Sequence, residues 1–257
     1  MIHVGTSGYN YPEWKGRFYP EKMAAKAMLP FYAGVFDTVE INYTFYRMPT
    51  AAIVEGWAAQ VPENFTFTLK TPKRISHDRR LHDVSDSVRA FCSAGNALGR
   101  RLGCVLVQLG PTFKCDAPRL RAFIGELPPA LRVAFEFRHP SWWTDEIYDI
   151  LRERNLALCL ADSPERHTPL VATADYGYLR LRDEGYGDSD IARWADWVGA
   201  QQSVWRETFV YFKHEDEGKG PEFASLFKAK LAAHGVRGAT GEPDVPPTVE
   251  APGPKAD

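Results

Sequence analysis

Three carboxylates and five cations stand at the ends of short apolar runs in this sequence. The carboxylates are Glu40, Glu136 and Asp162; the cations are Lys70, Arg138, Arg180, Arg182 and Lys213. Two glutamates on separate segments suit a general acid and a nucleophile, as in glycoside hydrolysis. The competing role is neutralisation of nearby Lys and Arg in a buried ion network. Lys70, if desolvated, suits a Schiff base or a general base; otherwise it is a charged partner. Arg138 and Arg180 suit a bidentate clamp on phosphate or carboxylate, or pairing with Glu40 and Glu136. Asp162 precedes Ser163-Pro164, where a turn-forming role competes. The catalytic candidates are therefore Glu40, Glu136 and Lys70. The substrate-binding candidates are Ser7, Asn42, Thr44, Gln108, Arg138, Asp162, Arg180, Arg182, Lys213 and Trp142.

Other signals are less specific. Gly5-Thr6-Ser7-Gly8 can present backbone N–H groups to an anion or can make a tight turn. It matches neither the Walker loop nor the dinucleotide fingerprint. The seven histidines form no H-x-H or H-E-x-x-H pattern, so neither a metal site nor a cofactor is expected. Tyr9, Tyr11, Trp14, Phe45, Tyr46, Trp142 and Trp143 follow apolar runs. They can stack on sugars or bases, or pack loops onto the body.

The elements that must position these groups follow from periodicity. Eight runs rich in β-branched and aromatic residues read as strands. They are Ile2 to Ser7, Thr38 to Phe45, Phe65 to Thr71, Cys104 to Leu109, Arg132 to Arg138, Ala157 to Asp162, Tyr176 to Arg182 and Thr208 to Lys213. Between most of them lie amphipathic helical patterns, such as Ser85 to Arg101, Asp190 to Ser203 and Glu222 to Ala233. This alternation predicts a single (β/α)8 TIM barrel. The rival is a doubly wound open sheet, whose strands should read as unbroken apolar runs. Here Phe65-Thr66-Phe67-Thr68-Leu69-Lys70 and Val133-Ala134-Phe135-Glu136-Phe137-Arg138 alternate instead, which favours a barrel with a polar, charge-lined C-terminal mouth. Five cations against three carboxylates would leave that mouth positive and suited to an anion.

Composition sets the limits. The chain has 257 residues, 44% hydrophobic and 25% charged, close to globular averages. Lys plus Arg total 31 and Asp plus Glu 33, a net charge of -2. A globally basic nucleic-acid binder is thus unsupported, although a local basic cleft fits the same balance. The four cysteines form no C-x-x-C pair, and the N-terminal residues carry no secretory pattern, so a reducing cytoplasmic setting is expected. No run of about 18 apolar residues occurs, so no membrane partner is expected. Residues 1–235 read as the barrel domain and 236–257, rich in Pro and Gly, as a disordered tail.

Several strings together resemble the YecE-like family, domain of unknown function 72. They are Val4-Gly5-Thr6-Ser7-Gly8-Tyr9 with Trp14, and Val39-Glu40-Ile41-Asn42-Tyr43-Thr44-Phe45-Tyr46 with Pro49. To these add Phe65 to Lys70 with His77, Gln108-Leu109-Gly110-Pro111, and Phe135-Glu136-Phe137-Arg138-His139-Pro140-Ser141-Trp142. The resemblance runs to about residue 234 and implies a TIM barrel, with no established activity to carry over. It draws attention to Glu40, Asn42, Thr44, Lys70, Gln108, Glu136, Arg138 and Arg180. The chain departs from the family pattern at Arg180-Leu181-Arg182 and at Lys213-His214, each adding a basic residue at the mouth.

The expected function is an enzyme acting on a small anionic or polyhydroxylated molecule, a sugar or phosphorylated compound, by Glu acid/base chemistry. Hydrolase, isomerase and lyase reactions all remain open at this stage. Nucleic-acid or nucleotide processing at the same cationic, aromatic-rimmed mouth is the alternative. Non-catalytic small-molecule binding is the second alternative.

Overall fold

The structure, a computed structural model, describes residues 1–164, 166–214 and 218–233. Eight parallel strands close on themselves: β1 (Ile2–Ser7), β2 (Thr38–Ile41), β3 (Thr66–Lys70), β4 (Leu102–Gln108), β5 (Val133–Glu136), β6 (Ala157–Ser163), β8 (Tyr176–Leu181) and β9 (Glu207–Phe212). The closing pairs are β1–β9, with Val4 opposite Val210, and β5–β6, with Ala134 opposite Ala157. The TIM barrel predicted from the alternation is the fold. The Pro/Gly-rich tail expected from residue 236 lies outside the described residues.

Helices pack around the barrel as α1 (Ala25–Ala33), α3 (Ala51–Ala58), α4 (Ser85–Gly95), α5 (Ala117–Glu126), α6 (Asp145–Glu153), α7 (Asp188–Ala200) and α8 (Lys219–Ala233). The physics of α6 is explicit in its sequence. Thr144 caps the Ile147 N–H, Asp145 and Glu146 sit at the positive N-terminal end, and Arg152 sits in the last turn. Ile147, Tyr148, Ile150 and Leu151 form its buried stripe.

Two segments differ from their sequence reading. The second strand stops at Ile41, and a short helix α2 (Tyr43–Tyr46) follows where the β-prone run predicted more strand. The backbone turns at Asn42, and the Thr44 hydroxyl donates to the Lys70 carbonyl at 2.6 Å, tying α2 to the end of β3. A tertiary hydrogen bond thus overrides local β-propensity. The sixth crossover carries no helix among the described residues. A two-residue strand β7 (Arg166–His167) pairs antiparallel with the end of β6 instead. Thr173 accepts from the Leu158 N–H and donates to the Leu156 carbonyl, both at 2.7 Å, so loop side chains satisfy backbone there.

The barrel interior grades from apolar to charged. Cys104, Leu106, Ala134, Ala157 and Cys159 pack with Tyr176, Tyr178, Phe209 and Tyr211. Small residues on β4, β5 and β6 leave volume for the rings of β8 and β9, and this space-filling role accounts for two of the four free cysteines. The Tyr211 hydroxyl bridges the Thr38 and Thr68 hydroxyls at 2.7 and 2.8 Å. Above this layer, toward the C-terminal strand ends, the interior becomes ionic.

Candidate functional site

Parallel register sets adjacent side chains side by side at the C-terminal end. Ser7 lies opposite Glu40, and Gln108 lies opposite Glu136. Arg180, from β8, lies between the two glutamates. Its Nε donates to Glu40 Oε2 at 2.9 Å and its Nη2 to Glu40 Oε1 at 2.8 Å. Its Nη1 donates to Glu136 Oε2 at 2.6 Å.

Each carboxylate is held by several donors. Glu40 also accepts from the Ser7 hydroxyl and from the Tyr178 hydroxyl, the latter at 2.6 Å. Asn42 in turn donates to Ser7 Oγ at 2.9 Å. Glu136 accepts from Gln108 Nε2 at 2.7 Å and from Arg138 Nε at 2.9 Å. Burial, the largest single effect, would raise both carboxyl pKa values, but Arg180 and the other partners together outweigh it. With the Ser7 and Tyr178 bonds, Arg180 holds Glu40 below the usual range, and with Arg138 and Gln108 it holds Glu136 well below. Both are therefore ionised across the ordinary pH range. Ionisation makes them poor proton donors, and Glu40, which accepts four hydrogen bonds, has no lone pair left over.

Lys70 differs. It is 8% exposed, and its Nζ sits 4.2 Å from the centroid of the Phe45 ring. Among the described residues its ammonium has no hydrogen-bond partner. Burial pushes its pKa down to about 7; Arg180 adds to that shift, and Glu40 and Glu136 oppose it. His77 stands nearby, its ring perpendicular to Phe45 at 5.0 Å and its Nδ1 bonded to Ser76 Oγ at 2.9 Å. Burial and the Lys70 and Arg138 charges hold His77 below its usual pKa. Arg182 follows Arg180 by two residues and keeps the same inward parity. Its Nε is buried without a hydrogen-bond partner among the described residues, and burial together with Arg180 lowers its pKa.

The structure therefore brings Ser7, Glu40, Asn42, Lys70, Gln108, Glu136, Arg138 and Arg180 into one cluster, with Arg182 in its field. Lys213 shares inward parity with Phe209 and Tyr211 on β9, and its backbone N–H bonds the Leu181 carbonyl at 3.0 Å. Three expected binding residues lie outside this cluster. Thr44 is buried and spends its hydroxyl on backbone carbonyls. Trp142 is fully buried, stacked on Phe137 at 4.8 Å, with its indole donating to the Phe113 carbonyl at 2.6 Å. No ring face is left for a ligand. Asp162 points out of the barrel, because Cys159 fills the lumen and Asp162 has the opposite parity.

Asp162 anchors a separate cluster. It accepts from Tyr186 at 2.6 Å and Trp194 at 3.1 Å and pairs with His167. These residues, with Asp183 and Arg193, line a cavity of about 240 Å³ beside α7. Sequence reasoning did not single out Phe45 as the Lys70 contact, or Tyr178 as a Glu40 donor. Tyr178 was accessible to parity, being two residues before Arg180 on the same face of β8.

Fold and cluster together define a TIM-barrel protein with a buried ionic network at the C-terminal end of the barrel. The model of a family described as "Protein of unknown function DUF72" matches residues 3–248, and the chain belongs to that family. It is 31% identical to the UPF0759 protein YecE of Escherichia coli K12 over 144 residues, 56% of this chain. The match spans 50% of that relative's length. It is 27% identical to the UPF0759 protein YunF of Bacillus subtilis over 200 residues, covering 72% of this chain and 67% of that one. A crystal structure of a DUF72 protein from Thermotoga maritima superposes with TM-score 0.79 and 27% identity, over 90% of this chain and 99% of that one. A second, from Enterococcus faecalis, has TM-score 0.77 and 21% identity over 90% and 96% of the two chains. No described helix is long and apolar enough to cross a membrane.

Proposed function

We propose that this chain is an enzyme acting on a small anionic or polyhydroxylated molecule at the barrel mouth, with Lys70 as the group that exchanges a proton. The observation that carries this reading is the contrast between Lys70 and the two glutamates. Glu40 and Glu136 hold their donors in a closed network, whereas the Lys70 amine is buried, unbonded among the described residues and shifted to about 7. A group whose pKa lies near the working pH serves best as acid or base. Glu40, Glu136 and Arg180 act as positioning residues, and Arg138 and Arg182 attract the anion. With Asp162 turned outward, two carboxylates face Lys70, Arg138, Arg180 and Arg182, which strengthens the case for an anionic ligand.

The nucleic-acid alternative has less support than its sequence reading, because Trp14 and Trp142 are buried. Among the seven rim aromatics, Tyr46 is the exposed one, at 78%.

The test is a thermal-shift panel with phosphate, sugar phosphates, neutral sugars, nucleotides and short single-stranded DNA, run on the wild type and Arg138→Ala and Arg182→Ala. A native-state ligand raises Tm by mass action. The expected result is a shift from one small anionic class that both variants lose. Equal shifts in all three proteins, or none, would overturn the reading. A shift from DNA alone would favour the alternative.

A further inference from the structure

Lys70 and Arg182 are the groups of the mouth that the ionic network leaves over. The Lys70 Nζ faces the Phe45 ring rather than a carboxylate. The buried Arg182 Nε has no hydrogen-bond partner among the described residues. Both lie in the field of the same four groups, Glu40, Glu136, Arg138 and Arg180.

A lysine serving only as a cation would be expected against a carboxylate. The oxygens of Glu40 and Glu136 are instead taken by Ser7, Tyr178, Gln108, Arg138 and Arg180. The Lys70 amine, on a flexible four-carbon stem and out of water, keeps its lone pair for a carbon electrophile. Its shift to about 7 supplies a neutral fraction at physiological pH. A buried guanidinium N–H in the field of the same four groups, unbonded among the described residues, calls for an oxyanion acceptor.

We infer that Lys70 forms an imine with the carbonyl carbon of a small anionic aldehyde or ketone, whose carboxylate or phosphate is taken by Arg182. The amine lone pair attacks the carbonyl carbon, and the C=O π pair moves to oxygen. A proton passes from nitrogen to that oxygen, giving a carbinolamine. The nitrogen lone pair then expels the hydroxyl, which takes the second amine proton and leaves as water. Both hydrogens of the water come from the amine, so no other reactant is consumed. One proton taken up from solvent converts the neutral imine to its protonated form, which withdraws electrons from the adjacent carbon, as lyase and isomerase steps require. This inference rests on the mouth reading above and makes Lys70 a nucleophile as well as a base.

The test is reductive trapping on the full chain at neutral pH. Sodium cyanoborohydride is added with pyruvate in one arm and dihydroxyacetone phosphate in the other, and peptides are mapped by mass spectrometry. The two arms distinguish a carboxylate from a phosphate ligand. In the pyruvate arm, the expected result is one adduct at Lys70, heavier by pyruvic acid less one oxygen. The adduct should be lost in Lys70→Arg and reduced in Arg182→Ala. Mapping on the wild type keeps the result independent of how the variants fold. Adducts scattered over surface lysines, with Lys70 unmodified, would overturn the inference. An anion-dependent thermal shift without trapping would overturn the imine while leaving the mouth reading standing. Absence of both would remove both.

Discussion

Arg180 and Glu40 meet inside the barrel in a two-point contact, Nε to Oε2 at 2.9 Å and Nη2 to Oε1 at 2.8 Å. They come from β8 and β2, and they are 1% and 0% exposed. A parallel guanidinium–carboxylate fork in a dry interior is strong when complete and costly when broken. Because Arg180 also bonds Glu136, removing it would leave Glu40 without its cation and Glu136 with Arg138 and Gln108 alone.

Arg180→Met is therefore expected to destabilise the fold by about 3–5 kcal/mol, the range for a buried pair losing one partner. Urea denaturation would measure this. Adding Glu40→Gln and Glu136→Gln should recover part of the loss, since coupled sites are not additive. A loss of under about 1 kcal/mol for Arg180→Met would show that water reaches the network freely.

Lys70 makes stability pH-dependent in a defined direction. Its folded pKa, about 7, lies below the ordinary value of 10.5. Between those values the unfolded chain holds a proton that the folded chain has lost, so stability rises with pH. Below about pH 7 the cost of the buried charge is fully present. Lys70→Met removes that cost. The variant should be more stable than the wild type by an order of a few kcal/mol at pH 6, with the gap closing toward pH 10. Parallel stability curves over that range would contradict the shift.

His3, at the opposite end of the barrel, behaves in the reverse sense. Burial opposes its charge, but Glu207 at 2.8 Å and Asp37 at 3.5 Å raise its pKa above 6.5. Arg132 also pairs with Glu207, and Phe209 stacks on the imidazole at 5.0 Å. The folded state holds the proton more tightly, so the stabilisation is full below 6.5 and is lost as pH rises through the folded value. His3→Gln should cost roughly 1–3 kcal/mol more at pH 5.5 than at pH 9, the scale of charged hydrogen bonds. Thermal melts at the two pH values would show it. An equal cost at both would mean that the imidazole is neutral.

Gly5 sits where β1 crosses closest to β2. A Cβ there would lie 2.0 Å from the Thr38 carbonyl oxygen and 2.8 Å from the Tyr32 hydroxyl. Backbone oxygen in a paired strand cannot step aside. Gly5→Ala should cost about 1–3 kcal/mol or more by overpacking, and it should disturb the neighbouring Ser7–Glu40 contact. A wild-type Tm for this variant would refute the close approach.

Trp142→Phe keeps the stack on Phe137 but loses the bond to the Phe113 carbonyl. The carbonyl is left unsatisfied, at a cost of about 1–3 kcal/mol. Any ligand-dependent Tm shift should survive unchanged. A selective loss of ligand binding would restore the stacking role that its burial argues against.

Much of the architecture was legible along the chain. Strand–helix alternation and the inward parity of Glu40, Lys70, Glu136 and Arg180 are local properties, written two residues at a time. Parity also carries Tyr178 and Arg182. Asp162 was misplaced because it was read by its position at a strand end rather than by its parity with Cys159. The missing sixth helix and the turn at Asn42 depend on contacts distant in sequence, Thr173 with Leu156 and Thr44 with Lys70.

The sequence alone determined the barrel and the charged groups that face its mouth, because periodicity decides which side of a strand is buried. Tertiary structure alone decided which charge satisfies which. Glu40 and Arg180 are 140 residues apart, and nothing local distinguishes a carboxylate closed by three partners from one left open. Their closure around Arg180 leaves Lys70 beside Phe45 without a carboxylate, and desolvation there removes the hydration that would otherwise hold its proton.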